Sequence, residues 1–294
     1  MTDNGSREDT VDVETDRYRR ESMEGDQRLV DSEEEQLTLH VADEDELFER
    51  ARQCTRPTEL VVSPVELHQR NVQRRLREEH LPKDAFSFED PVQLSKRLLE
   101  SNERPTATID RIDRLSLLRS VLEDSMSQES PDIAFSSRLA SREPQQIEQI
   151  RTEVETVTNF HPERVAAWRD TAGDLYSPID ATATELLDIA LGVERNLRER
   201  TSKAISETEL VRRATQTLVA TDGSVWESAY PHIERLTLLG LSSLSAPHTD
   251  LVHGILATTE VKVHIHFRSE SGVYLKKRAR HLLAVTGPGT EVFE

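Results

Sequence analysis

Hydrophobic positions in the first third of the chain follow strand spacing and helix spacing in turn. Residues 37–41 alternate apolar and polar side chains, which predicts a strand. Leu47, Ala51 and Cys54 then recur at helical spacing. The run Leu60-Val61-Val62 predicts a second strand, and Ser63-Pro64 behind it is a typical helix start. The pattern predicts a strand, a helix and a second strand.

The same alternation continues to about residue 107. A helix is predicted over residues 65–80, with Val65, Val72 and Leu76 on one stripe. Residues 86–88 form a short third strand, and Asp90-Pro91 opens another helix. The order up to this point is β-α-β-α-β-α.

The middle of the chain, from residue 109 to about 218, has apolar residues only at helical spacing, and Ser206-x-x-Glu209 is a capping box that opens its last helix. Strands return afterwards, at 236–239 and at the strictly alternating run 261–267. Helices are predicted at 247–256 and 274–283. The chain therefore reads as an α/β fold interrupted by a helical insertion.

Four segments follow from these patterns. Residues 1–35 are rich in Asp, Glu, Arg and Ser with few large apolar side chains, so we expect a disordered acidic tail. Residues 36–107 form the first part of an α/β domain, residues 108–230 an inserted all-helical domain, and residues 231–294 the second part of the α/β domain.

Composition and charge indicate the environment in which the protein works. The chain carries 55 acidic and 37 basic residues, a net charge of −18, and only six of the basic residues are Lys. An acidic surface of this kind keeps a protein soluble in molar salt, where charge repulsion is screened. One cysteine, Cys54, excludes disulfides, and no stretch approaches 18 consecutive apolar residues. We expect a salt-adapted cytoplasmic protein without membrane segments.

Histidines suggest one metal site, which the sequence supports only weakly. His264 and His266 lie two apart on a predicted strand and so share one face. The distant His248 or His253 would have to supply the third ligand, and zinc sites require three or four. The sequence therefore predicts no metal and no other cofactor.

Acidic residues suggest general acid/base or nuclease chemistry. Asp110 with Asp113, and Glu78 with Glu79, are possible pairs for general acid/base work, but about a fifth of the chain is acidic and chance accounts for them.

Glu260-Val261-Lys262 matches the acid-x-Lys half of a metal-dependent nuclease site. Asp250 is its candidate first acid, although it lies on a predicted helix. A short motif of this kind also arises by accident, so no catalytic residue is assigned.

A cluster of arginines on the 65–80 helix is the strongest candidate for phosphate contact. Four guanidinium groups on one helix are unusual in so acidic a chain, and they suit nucleic-acid backbones. The members are Arg70, Arg74, Arg75 and Arg77. The alternative is pairing at i,i+4 with Glu66, Glu78 and Glu79.

Several segments carry a family resemblance. Leu60-Val61-Val62-Ser63-Pro64 looks like the strand and turn of a helicase motif, and Phe86-Ser87-Phe88 sits where such proteins place their next strand. The run 104–122 is similar to the entry into a helical insertion, and 233–240 to a Walker B strand. In pattern and order, residues 37–294 resemble the first RecA-like, P-loop-type domain of superfamily 1 helicases, in particular AddB-like helicase-nuclease subunits.

The departures from that family concern the nucleotide site. A phosphate loop requires G-x-x-x-x-G-K-[ST], yet no glycine lies between Gly25 and Gly173. The place after the first strand holds Ala42-Asp43-Glu44-Asp45-Glu46, whose carboxylates repel a triphosphate. Residues 237–241 offer no acid for Mg²⁺. ATP hydrolysis is therefore not expected.

The resemblance and these departures together imply a function. We expect a non-catalytic, helicase-like scaffold subunit in DNA repair or recombination, acting with a separately encoded helicase or nuclease, with DNA as a further ligand. The alternative is a stand-alone adaptor or regulatory protein whose helical domain binds another protein. A small nuclease using Glu260 and Lys262 is the third reading.

Overall fold

A computed structural model describes residues 36–41, 44–127, 143–241 and 243–293. The expected acidic tail, residues 1–35, lies outside the described residues. In the part of the chain that is described, no helix is both long enough and apolar enough to cross a membrane.

Five parallel strands form a single sheet in the order β1-β5-β4-β2-β3. Their ranges are β1 Leu37–Val41, β2 Glu59–Val62, β3 Ser87–Glu89, β4 Arg235–Leu241 and β5 Lys262–Phe267. Because every neighbouring pair is parallel, each connection must cross a face of the sheet. The α/β prediction is confirmed, and all five predicted strands are present.

Helices cover both faces. Helices α1 (Asp45–Gln53) and α2 (Glu66–Glu78) pack on one face through a core that includes Leu47, Leu76 and Val61. The opposite face is covered by α3 (Pro91–Ser101), α8 (Glu207–Ala220), α9 (Ser224–Ala229), α10 (Ala246–Thr258) and α11 (Ser269–Leu283). Both faces of the sheet are therefore buried, as parallel sheets require.

The order in which the chain adds strands to the sheet reverses between β2 and β4. The connection that leaves β2 runs through α2 on one face, whereas the connection that leaves β4 runs through α10 on the other. These strands are neighbours, pairing from Glu59 with Arg235 to Val62 with Leu238. In open α/β sheets, ligands bind outside the carboxyl ends of strands at such a reversal.

A second helical unit stands beside the sheet. It consists of α4 (Arg111–Ser127), α5 (Pro144–Thr158), α6 (Pro162–Gly173) and α7 (Ile179–Arg200), with two apolar clusters of its own. Helices α8 and α9 lie within the predicted insertion but pack in the core of the sheet, through residues such as Leu210 and Trp226. The domain limits remain a prediction.

The segment 287–293 returns to this helical unit. The Val292 amide donates to the Phe160 carbonyl at 2.9 Å, and the Phe293 ring meets the Phe160 ring edge-on at 5.3 Å between centroids. The Glu291 carboxylate accepts hydrogen bonds at 2.8 Å from both terminal nitrogens of Arg198. Residues near the end of the sequence thus complete the interior of helices formed a hundred residues earlier.

Candidate functional site

A cleft of about 740 Å³ opens at the carboxyl ends of the strands, next to the reversal between β2 and β4. We call it the carboxyl-edge cleft. The first turns of four helices, α2, α3, α8 and α10, border it. Its lining residues are Pro64, Glu66, Gln69, Asp90, Pro91, Val92, Gln93, Lys96, Glu207, Thr208, Val211, Pro247 and His248.

The cleft holds more negative than positive charge. Glu66, Asp90 and Glu207 face a single ammonium group, that of Lys96. The Asp90 carboxylate already accepts from the amides of Val92 and Gln93 at 2.8 Å, so it occupies the donors that an anion would use. Four helix starts would ordinarily attract phosphate. Here the Asp90 carboxylate occupies the amide donors of one helix, and the charges of Glu66 and Glu207 repel an anion at two others.

His248 adds no positive charge to the cleft at neutral pH. Burial lowers the pKa of this histidine. Its Nδ1 atom lies 2.7 Å from the Ser245 hydroxyl oxygen at the start of α10. A neutral imidazole of this kind does not attract a triphosphate.

The connection in which a phosphate loop would lie, between β1 and α1, is too short. β1 ends at Val41 and α1 begins at Asp45, so three residues connect them, whereas the phosphate-loop motif spans eight.

At the end of β4, Gly240 has φ +73°, and a Cβ atom there would lie 2.8 Å from the His68 ring. The His68 Nε2 atom in turn contacts the Arg268 guanidinium at 2.5 Å. Protein side chains therefore fill the space beside this strand end.

The predicted arginine cluster lies on α2, and three of its members have carboxylate partners. Arg70 pairs with Glu66 at 2.7 Å and Arg74 with Glu78 at 3.8 Å, each four residues away. The Arg75 guanidinium pairs with Asp45 and Glu79 at 2.5 and 2.8 Å, and it stacks 4.0 Å above the Phe48 ring centre.

Arg77 is exposed and donates to the Gln73 carbonyl at 3.2 Å. The pairing that the sequence offered as an alternative is therefore present. Exposed pairs of this type are weak, so the guanidiniums of Arg70 and Arg74 remain accessible to phosphate.

Helix α11 carries a basic group that was not predicted from the sequence. Lys276, Lys277 and Arg278 are exposed, and among the described residues no carboxylate lies within ion-pair distance of them. Arg278 lies 4.8 Å from the centre of the Tyr274 ring, which is itself 59% exposed. The signal was in the sequence, since Lys276-Lys277-Arg278 holds two of the six lysines.

Three histidines meet on the α1 side of the sheet. His264 and His266 do share one face of β5, and β1 brings His40 beside them because these two strands pair. The His40 Nε2 atom lies 3.0 Å from His264 Nδ1, and the His40 ring stacks on His266 at 4.2 Å between centroids. The Glu46 carboxylate lies 3.1 Å from His40 Nδ1. Neither His248 nor His253, the partners considered from sequence, supplies the third group.

Charged residues flank this histidine cluster. Arg50 forms a bidentate pair with Glu59 at 2.9 and 3.0 Å, and Thr237 donates to the same carboxylate at 2.6 Å. Burial, followed by the charges of Arg50 and Arg235, lowers the pKa of His264 to about 3. The His264 imidazole is therefore neutral throughout the physiological range.

Comparison with known proteins supplies a family. Residues 23–294 match the family described as Halobacterial UvrD-like protein. The chain belongs to this family. The membership supports a helicase-like relationship and agrees with the salt-adapted composition. No curated protein matches the chain.

In this UvrD-like protein, the residues considered for a nuclease site do not come together. Asp250 is buried near the start of α10, where it pairs with Arg164 at 2.5 Å and accepts from the Asn159 amide at 2.6 Å. Lys262 begins the strand that follows this helix. From Asp250 to the last helical residue, Thr258, the helix rises about 12 Å, and Lys262 lies beyond that end. The Asp250 carboxylate thus links the sheet unit to the helical unit.

The paired acids have structural partners as well. The Asp110 carboxylate accepts from the amides of Ile112 and Asp113 at 2.7 and 2.9 Å, at the start of α4. The hydrogen bond from Arg75 lowers the pKa of Glu79 and outweighs a smaller opposing effect of desolvation. Glu79 is therefore an ordinary ionised carboxylate rather than a proton donor poised near neutral pH.

A network of buried ion pairs joins the helical unit to α8 and to Glu291, and we call it the interior ion network. Arg151, 1% exposed, contacts Glu148, Glu155 and Glu194 at 2.9 to 3.0 Å. The full network contains four carboxylates and four guanidiniums: Glu148, Glu155, Glu194, Glu291, Arg114, Arg151, Arg198 and Arg212. Equal numbers of the two charges make this burial tolerable.

Proposed function

We propose that this UvrD-like protein is a non-catalytic, helicase-like scaffold subunit in DNA repair or recombination. In this proposal the sheet unit is a RecA-like domain, the helical unit is its insertion, and the nearest counterpart is the AddB subunit of helicase-nuclease complexes. Its partner is a separately encoded helicase or nuclease.

One observation carries the non-catalytic part, namely the carboxyl edge of the sheet. Nucleotide chemistry in this fold class needs backbone amides and a lysine around phosphate and a carboxylate on Mg²⁺. Here a three-residue connection follows β1, and the cleft farther along the same edge of the sheet presents Glu66, Asp90 and Glu207. The family membership supports the helicase-like part.

DNA contact is proposed at two basic surfaces. The first is the α2 cluster of Arg70, Arg74, Arg75 and Arg77, and the second is the α11 group of Lys276, Lys277 and Arg278. We rank the α11 group higher because its charges have no competing carboxylate among the described residues. The exposed Tyr274 ring beside it could stack on a base.

Fluorescence anisotropy with a labelled single-stranded oligonucleotide tests this ranking. Replacing Lys276, Lys277 and Arg278 with Gln should reduce the slope of log affinity against log salt concentration by up to about 0.7 per lost phosphate contact. The same change at Arg70, Arg74 and Arg77 should have a smaller effect. Equal binding by all three proteins would refute contact at either surface.

Co-purification from native cells tests the scaffold role. The tagged chain is recovered in molar salt, with and without DNase treatment, and bound proteins are identified by mass spectrometry. A helicase or nuclease recovered in both samples supports a protein complex. Recovery of the chain alone, or with unrelated regulatory proteins, contradicts it.

A stand-alone adaptor is the second candidate, and an apolar surface of the helical unit favours it. Tyr176 is 90% exposed between α6 and α7, and Ile179 and Val157 are 61% and 57% exposed. Val157 also lines a cleft of about 460 Å³, together with Trp168 and Leu175. Exposed apolar groups of this kind occur at protein interfaces. The mass spectrometry experiment also identifies an adaptor partner.

A further inference from the structure

The histidine cluster places two imidazole nitrogens and a carboxylate close together. A hydrogen bond between His40 Nε2 and His264 Nδ1 joins β1 to β5. The Glu46 carboxylate approaches His40 from α1. One donor atom from each of His40, Glu46 and His264 lies within 4.8 Å of the others. Three different elements of the fold therefore converge on one point.

The spacing of the nitrogens suits a metal ion. Two ligands at 2.0 to 2.1 Å from a tetrahedral Zn²⁺ ion lie about 3.3 Å apart. The two imidazole nitrogens here are 3.0 Å apart, so an ion could replace the hydrogen bond with small side-chain rotations.

Glu46 gives the site access to solvent. Its side chain is 46% exposed, whereas that of His40 is 6% exposed. The carboxylate can therefore rotate between its present contact with His40 Nδ1 and the ion. A metal site needs such an entry path, and water can fill a fourth position.

The charges of Arg50 and Arg235 work against a cation at His264, but nearby carboxylates partly compensate them. Glu59 pairs with both Arg50 and Arg235, and Glu46 pairs with Arg50 at 3.4 Å. Both histidines are largely buried on paired strands, so side-chain rotations are the only rearrangement that an ion requires of them. Coordination bonds act over short distances and, unlike phosphate contacts, do not depend on long-range attraction that salt screens.

We propose that His40, His264 and Glu46 form a binding site for one divalent transition-metal ion of the zinc type. The two imidazoles and one carboxylate form a borderline donor set of the kind Zn²⁺ and Co²⁺ use. The proposal differs from the sequence-based expectation of no metal, which rested on His264 and His266 without His40. The proposal is independent of the scaffold role.

Metal uptake by the full chain tests the site. The protein is stripped with a chelator in molar KCl, dialysed against Zn²⁺, and its metal content is measured by inductively coupled plasma mass spectrometry. We expect one ion per chain. Co²⁺ should give the visible absorption of a four-coordinate nitrogen and oxygen site.

Three variants and a control locate the ion. His40→Gln and His264→Gln should abolish uptake, and Glu46→Gln, which removes the third ligand, should reduce uptake below one ion per chain. His232→Gln, at an exposed histidine elsewhere, should bind like the wild type. Circular dichroism checks the fold, and Glu46→Gln changes an exposed side chain, so it remains informative if a buried variant unfolds. No uptake by the wild type, or full uptake by a folded Glu46→Gln and His264→Gln, would overturn the proposal.

Discussion

Replacing Arg151 with methionine removes one guanidinium from the interior ion network and leaves a side chain of similar length. Glu148, Glu155 and Glu194 each lose a contact of 2.9 to 3.0 Å. The network then holds four carboxylates and three guanidiniums, so one negative charge is buried without compensation. Breaking a buried pair in this way typically costs about 3–5 kcal/mol. We expect a loss in that range.

Urea unfolding in molar KCl measures this loss, with the fluorescence of Trp168 and Trp226 as the signal. Arg74→Met is the matched control, because its partner Glu78 is 3.8 Å away and both side chains are more than 60% exposed. Its effect should stay within about 1 kcal/mol, as for other exposed pairs. A loss below about 1 kcal/mol for Arg151→Met would refute the argument that the network stabilises the helical unit.

Three further predictions follow from other features. Burial raises the pKa of Glu194, but Arg151, Arg198 and Arg212 lower it more, so its net pKa is below 4.5. The stability that this carboxylate contributes should be present above pH 4.5 and be lost as pH falls through the lower folded pKa. Acid unfolding of the wild type and of Glu194→Gln would measure this loss. Gly240→Ala should cost about 1–3 kcal/mol in urea unfolding because of its positive φ and the His68 ring, whereas Gly173→Ala, with open space around it, should cost nothing. Mg²⁺ and ATP should leave the melting temperature unchanged in differential scanning fluorimetry, and a clear rise would contradict the absence of a nucleotide site.

The sequence predicted the strands well, because each carries a short apolar run between polar segments. It placed the start of α11 at Tyr274, five residues too late, since Gly272 looks like the end of a loop. In the structure, a Cβ atom at Gly272 would lie 2.7 Å from a Val41 side-chain carbon, so glycine lets this helix lie close to β1. A close approach of this kind depends on the packed fold and leaves no periodic signal.

Pairings between distant residues account for the rest of what was missed. His40 reaches His264 only because β1 pairs with β5, although 224 positions separate them in sequence. Similarly, the carboxylates that neutralise the α2 arginines include Asp45, which belongs to another helix. Local spacing identified Glu66, Glu78 and Glu79 as partners, since these lie on the same helix or next to it.

The docking of residues 287–293 has a consequence for how the molecule assembles. Arg198 and Glu291 are 93 positions apart, and Val292 reaches back to Phe160. Contacts over such separations slow folding, because a long stretch of chain must be ordered before they form. During synthesis on a ribosome, helices α4 to α7 would emerge well before Glu291. Arg198 and Arg212 would therefore lack the Glu291 carboxylate until synthesis of the sheet was complete. An excised fragment of helices α4 to α7 alone would keep that defect permanently.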